Sequence, residues 1–133
     1  MHRVVIADDH CVFRAGLKLV IETSSDFKVV GQVANGAQLF AVLDAIEADL
    51  VCLDINMPGQ SGLELLPDLK HRHPELPILI LSHYSERYMA VRAVRAGADG
   101  YLTKDVAPEE LILALEKLGQ GKRYYSEEVT DLL

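Results

Sequence analysis

The chain has 133 residues, of which half are hydrophobic, and a formal net charge of −7. This length predicts one domain with a sizeable core, and no apolar stretch approaches the roughly 18 residues that a membrane helix needs. Asp8 and Asp9 interrupt the N-terminal apolar run, which excludes the hydrophobic region of a signal peptide. Domains that bind DNA carry patches of basic residues. The negative net charge therefore argues against DNA binding by this chain itself.

The two cysteines, Cys11 and Cys52, lie inside apolar segments and lack the spacing of a metal or redox motif. We interpret both as reduced thiols in the core of a cytoplasmic protein. A disulfide between them is the alternative, although a chain of this length does not need one for stability.

Apolar runs alternate with helical patterns along the chain. The predicted strands cover residues 4–7, 27–34, 50–53, 77–82 and 100–103. After each strand, apolar residues recur at helical spacing. They are Phe13, Leu17, Val20 and Ile21 in the first helix; Leu39, Phe40, Leu43 and Ile46 in the second; Leu63, Leu66 and Leu69 in the third; Tyr88, Val91 and Val94 in the fourth; and Leu111, Leu115 and Leu118 in the fifth.

Several helix boundaries carry recognisable signals. Residues 61–64 have the capping-box pattern at the start of the third helix, and Pro67 is expected to kink or shorten that helix. Ser85 is a candidate cap of the fourth helix, and Gly97 follows its end. Pro108 suits the first turn of the last helix.

Five strands that alternate with five helices predict an α/β fold. We expect a doubly wound, five-stranded parallel sheet with helices on both faces and right-handed crossovers. The near-continuous Val, Ile and Leu of the strands is typical of strands buried on both faces. In open sheets of this kind the functional site lies beyond the carboxyl ends of the strands, so the residue that ends each strand becomes the candidate.

Four of the five predicted strands end in polar groups. These are Asp8 and Asp9 after the first strand, Asp54 after the third, Ser82 in the fourth, and Thr103 and Lys104 after the fifth. Three carboxylates in one crevice repel each other, and a cation would relieve that repulsion. Oxygen ligands favour Mg²⁺ or Mn²⁺ over Zn²⁺. Ser82 and Lys104 could then donate hydrogen bonds to phosphate oxygens. Together, the carboxylates, the cation and these two donors predict a phosphoryl-transfer site, whose nucleophile could be a carboxylate.

Each of these residues also has an ordinary structural explanation. An aspartate after a strand commonly caps a helix, Lys104 could face solvent, and Ser82 could be a strand-end hydroxyl. We interpret His10 and His83, which flank the site, as surface or loop residues. The functional interpretation is favoured because the fold brings all the polar strand ends to one edge of the sheet.

These motifs resemble the receiver domain of two-component response regulators, over residues 3–121. The motifs are ADD (7–9), LDINMPGQSG (53–62), Ser82 and YLTK (101–104). The segments IADDH (6–10), RAGADGYLTKD (95–105) and GKRYYSEEV (121–129) are similar to the NarL/FixJ subfamily, whose receivers precede a LuxR-type helix-turn-helix domain. The resemblance implies a flavodoxin-like (βα)5 fold with strand order 2-1-3-4-5.

The resemblance also implies a metal site. Asp54 matches the phosphoacceptor, which takes a phosphoryl group from a sensor histidine kinase and also binds Mg²⁺. Asp9 matches a direct ligand of the ion, Asp8 matches an acid that binds it through water, and the backbone carbonyl of Asn56 completes the set. Mn²⁺ is expected to substitute for Mg²⁺.

Ser82 and Lys104 match the residues that bind the phosphoryl group after transfer. Ser82 is also expected to form a switch with Tyr101. Tyr101 matches the aromatic switch residue, whose ring turns inward when the Ser82 hydroxyl moves. Lys104 is followed by Asp105 where many receivers have proline, so we expect no cis peptide bond at that position.

The expected role is a cytoplasmic phosphorylation switch that is not an enzyme, although it assists its own phosphorylation and dephosphorylation. Residues 1–121 form the expected receiver domain. Residues 122–133 form the expected start of a linker towards a DNA-binding output domain, and Ser126 is a candidate cap of a short helix within it. The alternative is that the protein is a stand-alone receiver. We expect a homodimer on phosphorylation, DNA contact only through that further domain, and no membrane contact.

Two other functions compete with this interpretation. A phosphatase of the haloacid dehalogenase type also has an aspartate nucleophile after a strand, but it needs a second acid where Asn56 stands and usually a cap domain. A binding module with the receiver fold that is independent of phosphorylation should have lost site residues, and here none is missing.

Overall fold

The computed structural model of the chain describes residues 1–83, 87–125 and 127–132. Its strands are β1 (His2–Ala7), β2 (Phe27–Val33), β3 (Leu50–Asp54), β4 (Ile78–Ser82) and β5 (Gly100–Thr103). Its helices are α1 (Cys11–Ile21), α2 (Gly36–Ala45), α3 (Gly62–Arg72), α4 (Arg87–Arg95), α5 (Pro108–Gly119) and a short α6 (Glu127–Asp131). The alternation predicted from the sequence is therefore confirmed.

The five strands form one parallel sheet in the order β2-β1-β3-β4-β5, which confirms the predicted fold class and strand order. Helices α1 and α5 cover one face, and α2, α3 and α4 cover the other. In β3, Val51 and Leu53 face one core whereas Leu50 and Cys52 face the other. This burial on both faces explains the uninterrupted apolar run. No helix in the described ranges is long and apolar enough to cross a membrane.

Helix α3 begins at the predicted capping box. The Ser61 hydroxyl accepts a hydrogen bond from the Glu64 backbone N–H at 3.3 Å, and the Glu64 carboxylate accepts one from the Ser61 N–H at 3.4 Å.

Helix α3 continues through Pro67 to Arg72, so Pro67 does not end the helix. The expected kink stays a prediction. Pro67 has no N–H to donate to the Leu63 carbonyl, but Pro67 is exposed, so water can reach this side of the helix. Leu65 and Leu69, on the opposite side, are buried and keep the helix on the sheet.

The predicted inner face of α4 is partly wrong. Tyr88 is 81% exposed, and Val91 and Val94 are only half-buried. Ala90 and Ala93 are buried instead, because small side chains on the inner face let the helix approach the sheet closely.

The end of α4 follows the prediction. Gly97 adopts a φ of 112°, which L side chains rarely adopt, and its N–H donates to the Val94 carbonyl at 3.1 Å. Ser85, the predicted cap at the other end, lies outside the described residues.

The two cysteines differ in environment. Cys52 is buried, and burial raises the pKa of its thiol to about 12. The prediction that Cys11 also lies in the core is wrong, because Cys11 begins α1 on its exposed side. Both thiols are free, so the alternative of a disulfide between them is not supported.

The chain after α5 packs on the edge of the sheet. The Tyr124 N–H donates to the Asp99 carbonyl at 3.0 Å, and the Tyr101 N–H donates to the Tyr124 carbonyl at 3.2 Å. The Tyr125 hydroxyl donates to the Ala98 carbonyl at 2.7 Å. This segment therefore covers the outer edge of β5.

Helix α6 continues this packing, with Val129 buried in the core beneath α4. Ser126, the candidate cap of this helix, lies outside the described residues. The boundary at residue 121 stays a prediction, and the contacts of Tyr124, Tyr125 and Val129 attach part of the expected linker to the folded domain.

Gly62 offers a test of how tightly α3 packs on the end of β3. A Cβ atom there would lie 2.5 Å from the Asp54 carbonyl oxygen and 3.0 Å from the Ile55 Cα. We expect Gly62→Ala to lower the free energy of unfolding by about 1–3 kcal/mol, because rigid backbone would have to shift.

The matched control is Gly16→Ala in α1, where nothing lies within 4 Å of the added Cβ. This change should raise the free energy of unfolding by up to about 1 kcal/mol, since alanine favours the helix. Urea unfolding of the two variants measures both effects. Equal effects of the two substitutions would contradict the close contact at Gly62.

Candidate functional site

The strand register brings the first two acids together. Ala7 of β1 is paired with Leu53 of β3, so the next residues, Asp8 and Asp54, lie side by side at the carboxyl edge of the sheet. Both are almost completely buried, at 2% and 1% exposure. Two neighbouring buried carboxylates are costly in free energy unless positive charge lies nearby.

Lys104 supplies positive charge at this edge. Its Nζ lies 2.7 Å from Asp8 Oδ2 and 3.3 Å from Asp54 Oδ1, and its side chain is only 4% exposed. Its backbone N–H donates to the Ser82 carbonyl at 2.7 Å, which ties the end of β5 to the end of β4. Ser82 is fully buried. Lys104 is therefore a buried ion-pair partner, and the alternative of a solvent-facing lysine is wrong.

The pKa of Asp54 is raised above its ordinary value. Burial is the main cause, and the negative charge of Asp8 adds to it. The positive charge of Lys104 lowers the pKa of Asp54, but it does not cancel the rise. The Asn56 N–H, which donates to Asp54 Oδ1 at 3.2 Å, also lowers it. Ionised Asp54 is thus under-compensated by the protein and favours a further positive group.

The oxygens of this cluster fit a divalent cation. Within the described residues, Asp54 Oδ2 is buried and accepts no hydrogen bond, whereas the buried Asp9 Oδ1 lies 3.3 Å from His10 Nδ1. One ligand atom from each of Asp8, Asp9, His10 and Asp54 lies within 4.8 Å of the others. A buried acceptor oxygen without a donor is satisfied by an ion or an ordered water, and carboxylate oxygens are the ligands that Mg²⁺ prefers. The Asn56 carbonyl as a ligand stays a prediction.

His10 is closer to the acids than the sequence suggested. Its side chain is 54% exposed, in agreement with a surface residue, yet its Nδ1 lies 3.1 Å from Asp8 Oδ1 and 3.3 Å from Asp9 Oδ1. The description of the cluster as oxygen ligands alone was therefore incomplete. His10 is also the N-cap residue of α1, without a side-chain cap, so capping of α1 by Asp8 or Asp9 is not supported. Its ring meets that of His83 edge-on, with 5.7 Å between centroids.

Two contacts from α1 were missed by sequence reasoning. The Phe13 ring lies against Lys104, with Nζ 4.4 Å from the ring centroid. The Arg14 guanidinium donates to the Asp8 carbonyl oxygen. Both residues belong to the first turn after the acid pair, and this position is the signal that could have indicated contact with the site.

The remaining predicted residues lie in β5 and directly after it. Tyr101 is 4% exposed, with its side chain in the core beneath α4, and its role as a switch stays a prediction. The Thr103 hydroxyl donates to the Asp105 carboxylate. No cis peptide bond occurs in the part of the chain that is described, which agrees with the expectation for Asp105.

Comparison with known proteins identifies the family. The family model described as the response regulator receiver domain matches residues 4–116. The chain belongs to this family. The fold, the acid pair and the resemblance predicted from the motifs agree with this assignment.

Similar proteins are transcriptional regulators. The transcriptional regulatory protein YdfI of Bacillus subtilis is 38% identical over 91% of this chain, and the nitrate/nitrite response regulator NarL of Escherichia coli K12 is 38% identical over 98%. The crystal structure of a LuxR-family two-component response regulator from Aurantimonas sp. SI85-9A1 is 29% identical, with a TM-score of 0.92, and covers 98% of this chain and 94% of that chain. The chain spans only 56% of YdfI and 60% of NarL.

The raised pKa of Asp54 predicts a pH-dependent effect of Asp54→Asn. A carboxyl group whose pKa is raised by folding contributes stability below its unfolded pKa, near 3.8, and loses it as the pH rises through the folded pKa. In metal-free buffer at pH 7 we therefore expect Asp54→Asn to have a higher free energy of unfolding than the wild type. Urea unfolding at a series of pH values from 3 to 7 measures the difference, which should shrink towards acid pH. A difference independent of pH would contradict the electrostatic cause.

Proposed function

We propose that the chain is the phosphoacceptor domain of a two-component response regulator. In this proposal a sensor histidine kinase transfers a phosphoryl group to Asp54 in a reaction that needs Mg²⁺. The observation that carries the proposal is the under-compensated charge of Asp54, which is buried beside Asp8 and has one oxygen without a hydrogen bond from the described residues.

Asp9, Asp54 and the Asn56 carbonyl would hold the cation directly, and Asp8 would hold it through water. When bound, Mg²⁺ or Mn²⁺ would offset the negative charge of the carboxylates and of the incoming phosphoryl group. The contacts of His10 with Asp8 and Asp9 support this assignment, because they fix the orientation of two ligands.

Transfer needs little covalent chemistry from the protein beyond the nucleophile. The Asp54 carboxylate forms a bond to phosphorus while the bond from phosphorus to the kinase imidazole breaks, and the imidazole leaves with the electron pair. Lys104 and Ser82 donate to phosphoryl oxygens, where negative charge is concentrated. The site resets when the acyl phosphate is hydrolysed, so the domain is a switch that assists its own phosphorylation and dephosphorylation.

The signal would travel along β4 and β5. The phosphoryl group carries a charge of about −2 in place of the single charge of the Asp54 carboxylate. This more negative group attracts Ser82 and Lys104 and changes the free energy of the arrangement around Tyr101. Phosphorylation then shifts a population between two arrangements of α4, β5 and α5. The output would be homodimerisation or release of a C-terminal LuxR-type domain that binds DNA and controls transcription, all in the cytoplasm.

The direct test is incubation of the purified chain with Mg²⁺ and acetyl phosphate, followed by intact-mass analysis. We expect one phosphoryl group on the wild type and none on Asp54→Ala or after Mg²⁺ is removed with a chelator. An adduct that survives Asp54→Ala, or no adduct on the wild type, would refute the proposal. Release of phosphate from simple esters would instead favour the phosphatase.

The same assay tests the role of Lys104. Lys104→Met should slow adduct formation by about 100-fold or more, because a preorganised positive charge at the transferred group is lost.

The matched control is Lys70→Met. Lys70 pairs with Asp99 at 2.9 Å and donates to the Leu76 carbonyl at 3.0 Å, and this ion pair lies near the amino ends of β4 and β5. Lys70→Met should keep the wild-type rate while it lowers stability. Equal rates for the two lysine variants would remove Lys104 from the reaction.

A further inference from the structure

The Phe13 ring lies against the charged end of Lys104, 91 residues away in sequence. The distance from Nζ to the ring centroid is 4.4 Å, within the range of a cation–π contact. Phe13 is in the first turn of α1, whereas Lys104 follows the last residue of β5. The contact therefore joins the helix that follows the acid pair to the strand end that carries the ammonium.

The surroundings of this ammonium strengthen the contact compared with an exposed one. The Lys104 side chain is 4% exposed, and its Nζ contacts Asp8 at 2.7 Å and Asp54 at 3.3 Å. With the charge removed from water, an aromatic face attracts it more than at an exposed site. The ring thus adds attraction on a further side of the ammonium, beside the two carboxylates.

An aromatic face differs from a third carboxylate in one useful respect. It attracts the positive charge without being a strong hydrogen-bond acceptor, so it does not occupy the N–H groups of the ammonium. An ammonium has three such groups. Those not bonded to Asp8 can therefore turn towards Asp54 and towards an incoming phosphoryl oxygen.

We propose that Phe13 is a positioning residue for phosphoryl transfer, whose ring holds the Lys104 ammonium between Asp8 and Asp54. This inference rests on the proposed function, since it concerns the same site. Phe13 touches neither the nucleophile nor the phosphoryl group in this role and acts only through Lys104.

Packing is the competing explanation for Phe13. The residue also lines a cavity of about 380 Å³ between α1 and the start of α5, together with Leu17, Val20 and Leu111. The test must therefore separate the aromatic face from the apolar volume. Phe13→Leu keeps an apolar side chain and removes the ring, whereas Phe13→Tyr keeps the ring.

The readout is the rate of adduct formation with acetyl phosphate and Mg²⁺, a small donor that needs no docking surface for a kinase. We expect Phe13→Leu to slow the reaction by about fivefold, the worth of a cation–π contact of intermediate strength, and Phe13→Tyr to keep the wild-type rate. Val20→Ala, which changes the same cavity without removing the ring, should also keep that rate.

A double-mutant cycle decides whether the ring acts through the ammonium. In a Lys104→Met background, Phe13→Leu should cause no further loss of rate. An equal loss with and without Lys104, or a Phe13→Tyr variant as slow as Phe13→Leu, would overturn the proposal and leave Phe13 as a packing residue.

The same double-mutant cycle can be measured as the free energy of unfolding in urea, which tests the contact independently of the proposed function. If the wild type accepts no phosphoryl group, the proposed function fails, and the contact is judged from stability alone. Phe13→Leu and Lys104→Met should then be non-additive by about fivefold in the unfolding equilibrium constant. Additive effects would show that the ring does not hold the ammonium.

Discussion

The buried ion pair of Lys104 with Asp8 and Asp54 is the interaction on which the rest of the site depends. Its distances of 2.7 Å and 3.3 Å tie the end of β5 to the ends of β1 and β3, across the width of β4. The charges at this edge do not balance, because the pKa of Asp54 stays raised despite the ammonium. Two buried carboxylates thus share one ammonium at this edge, an arrangement that favours a further cation.

The fold keeps this costly arrangement in place by local devices at each strand end. Gly62 lets the start of α3 lie against the backbone of Asp54, which no larger residue would allow. His10 and Arg14 contact the acid pair from the start of α1, and the Lys104 N–H bonds to the Ser82 carbonyl. The acids are therefore held by short backbone and side-chain contacts from elements that the hydrophobic core has already fixed.

Sequence patterns predicted most of the fold and the main site residues, because strand ends and helix caps are local signals. Asp54 could be singled out since a buried apolar run stops at a charge, and the parallel topology then placed it beside Asp8. The position of Phe13 in the first turn after the acid pair could have indicated that it lies near the site, but its contact with Lys104 joins residues 91 apart and depends on tertiary packing. Tyr88 was misplaced for a related reason: apolar spacing fits two faces of α4, and only packing against the sheet selects the face with Ala90.

The central claim, that this edge is an incomplete charge cluster built for a cation, is tested most directly by the dependence of the unfolding free energy on Mg²⁺ concentration. A ligand that binds only the folded state stabilises it by mass action, so the wild type should become more stable as Mg²⁺ rises. Asp9→Asn should lose most of this response, whereas Asp68→Asn, at an exposed ion pair on α3, should keep it. A wild type that does not respond to Mg²⁺, or an Asp9→Asn variant that responds equally, would contradict the account.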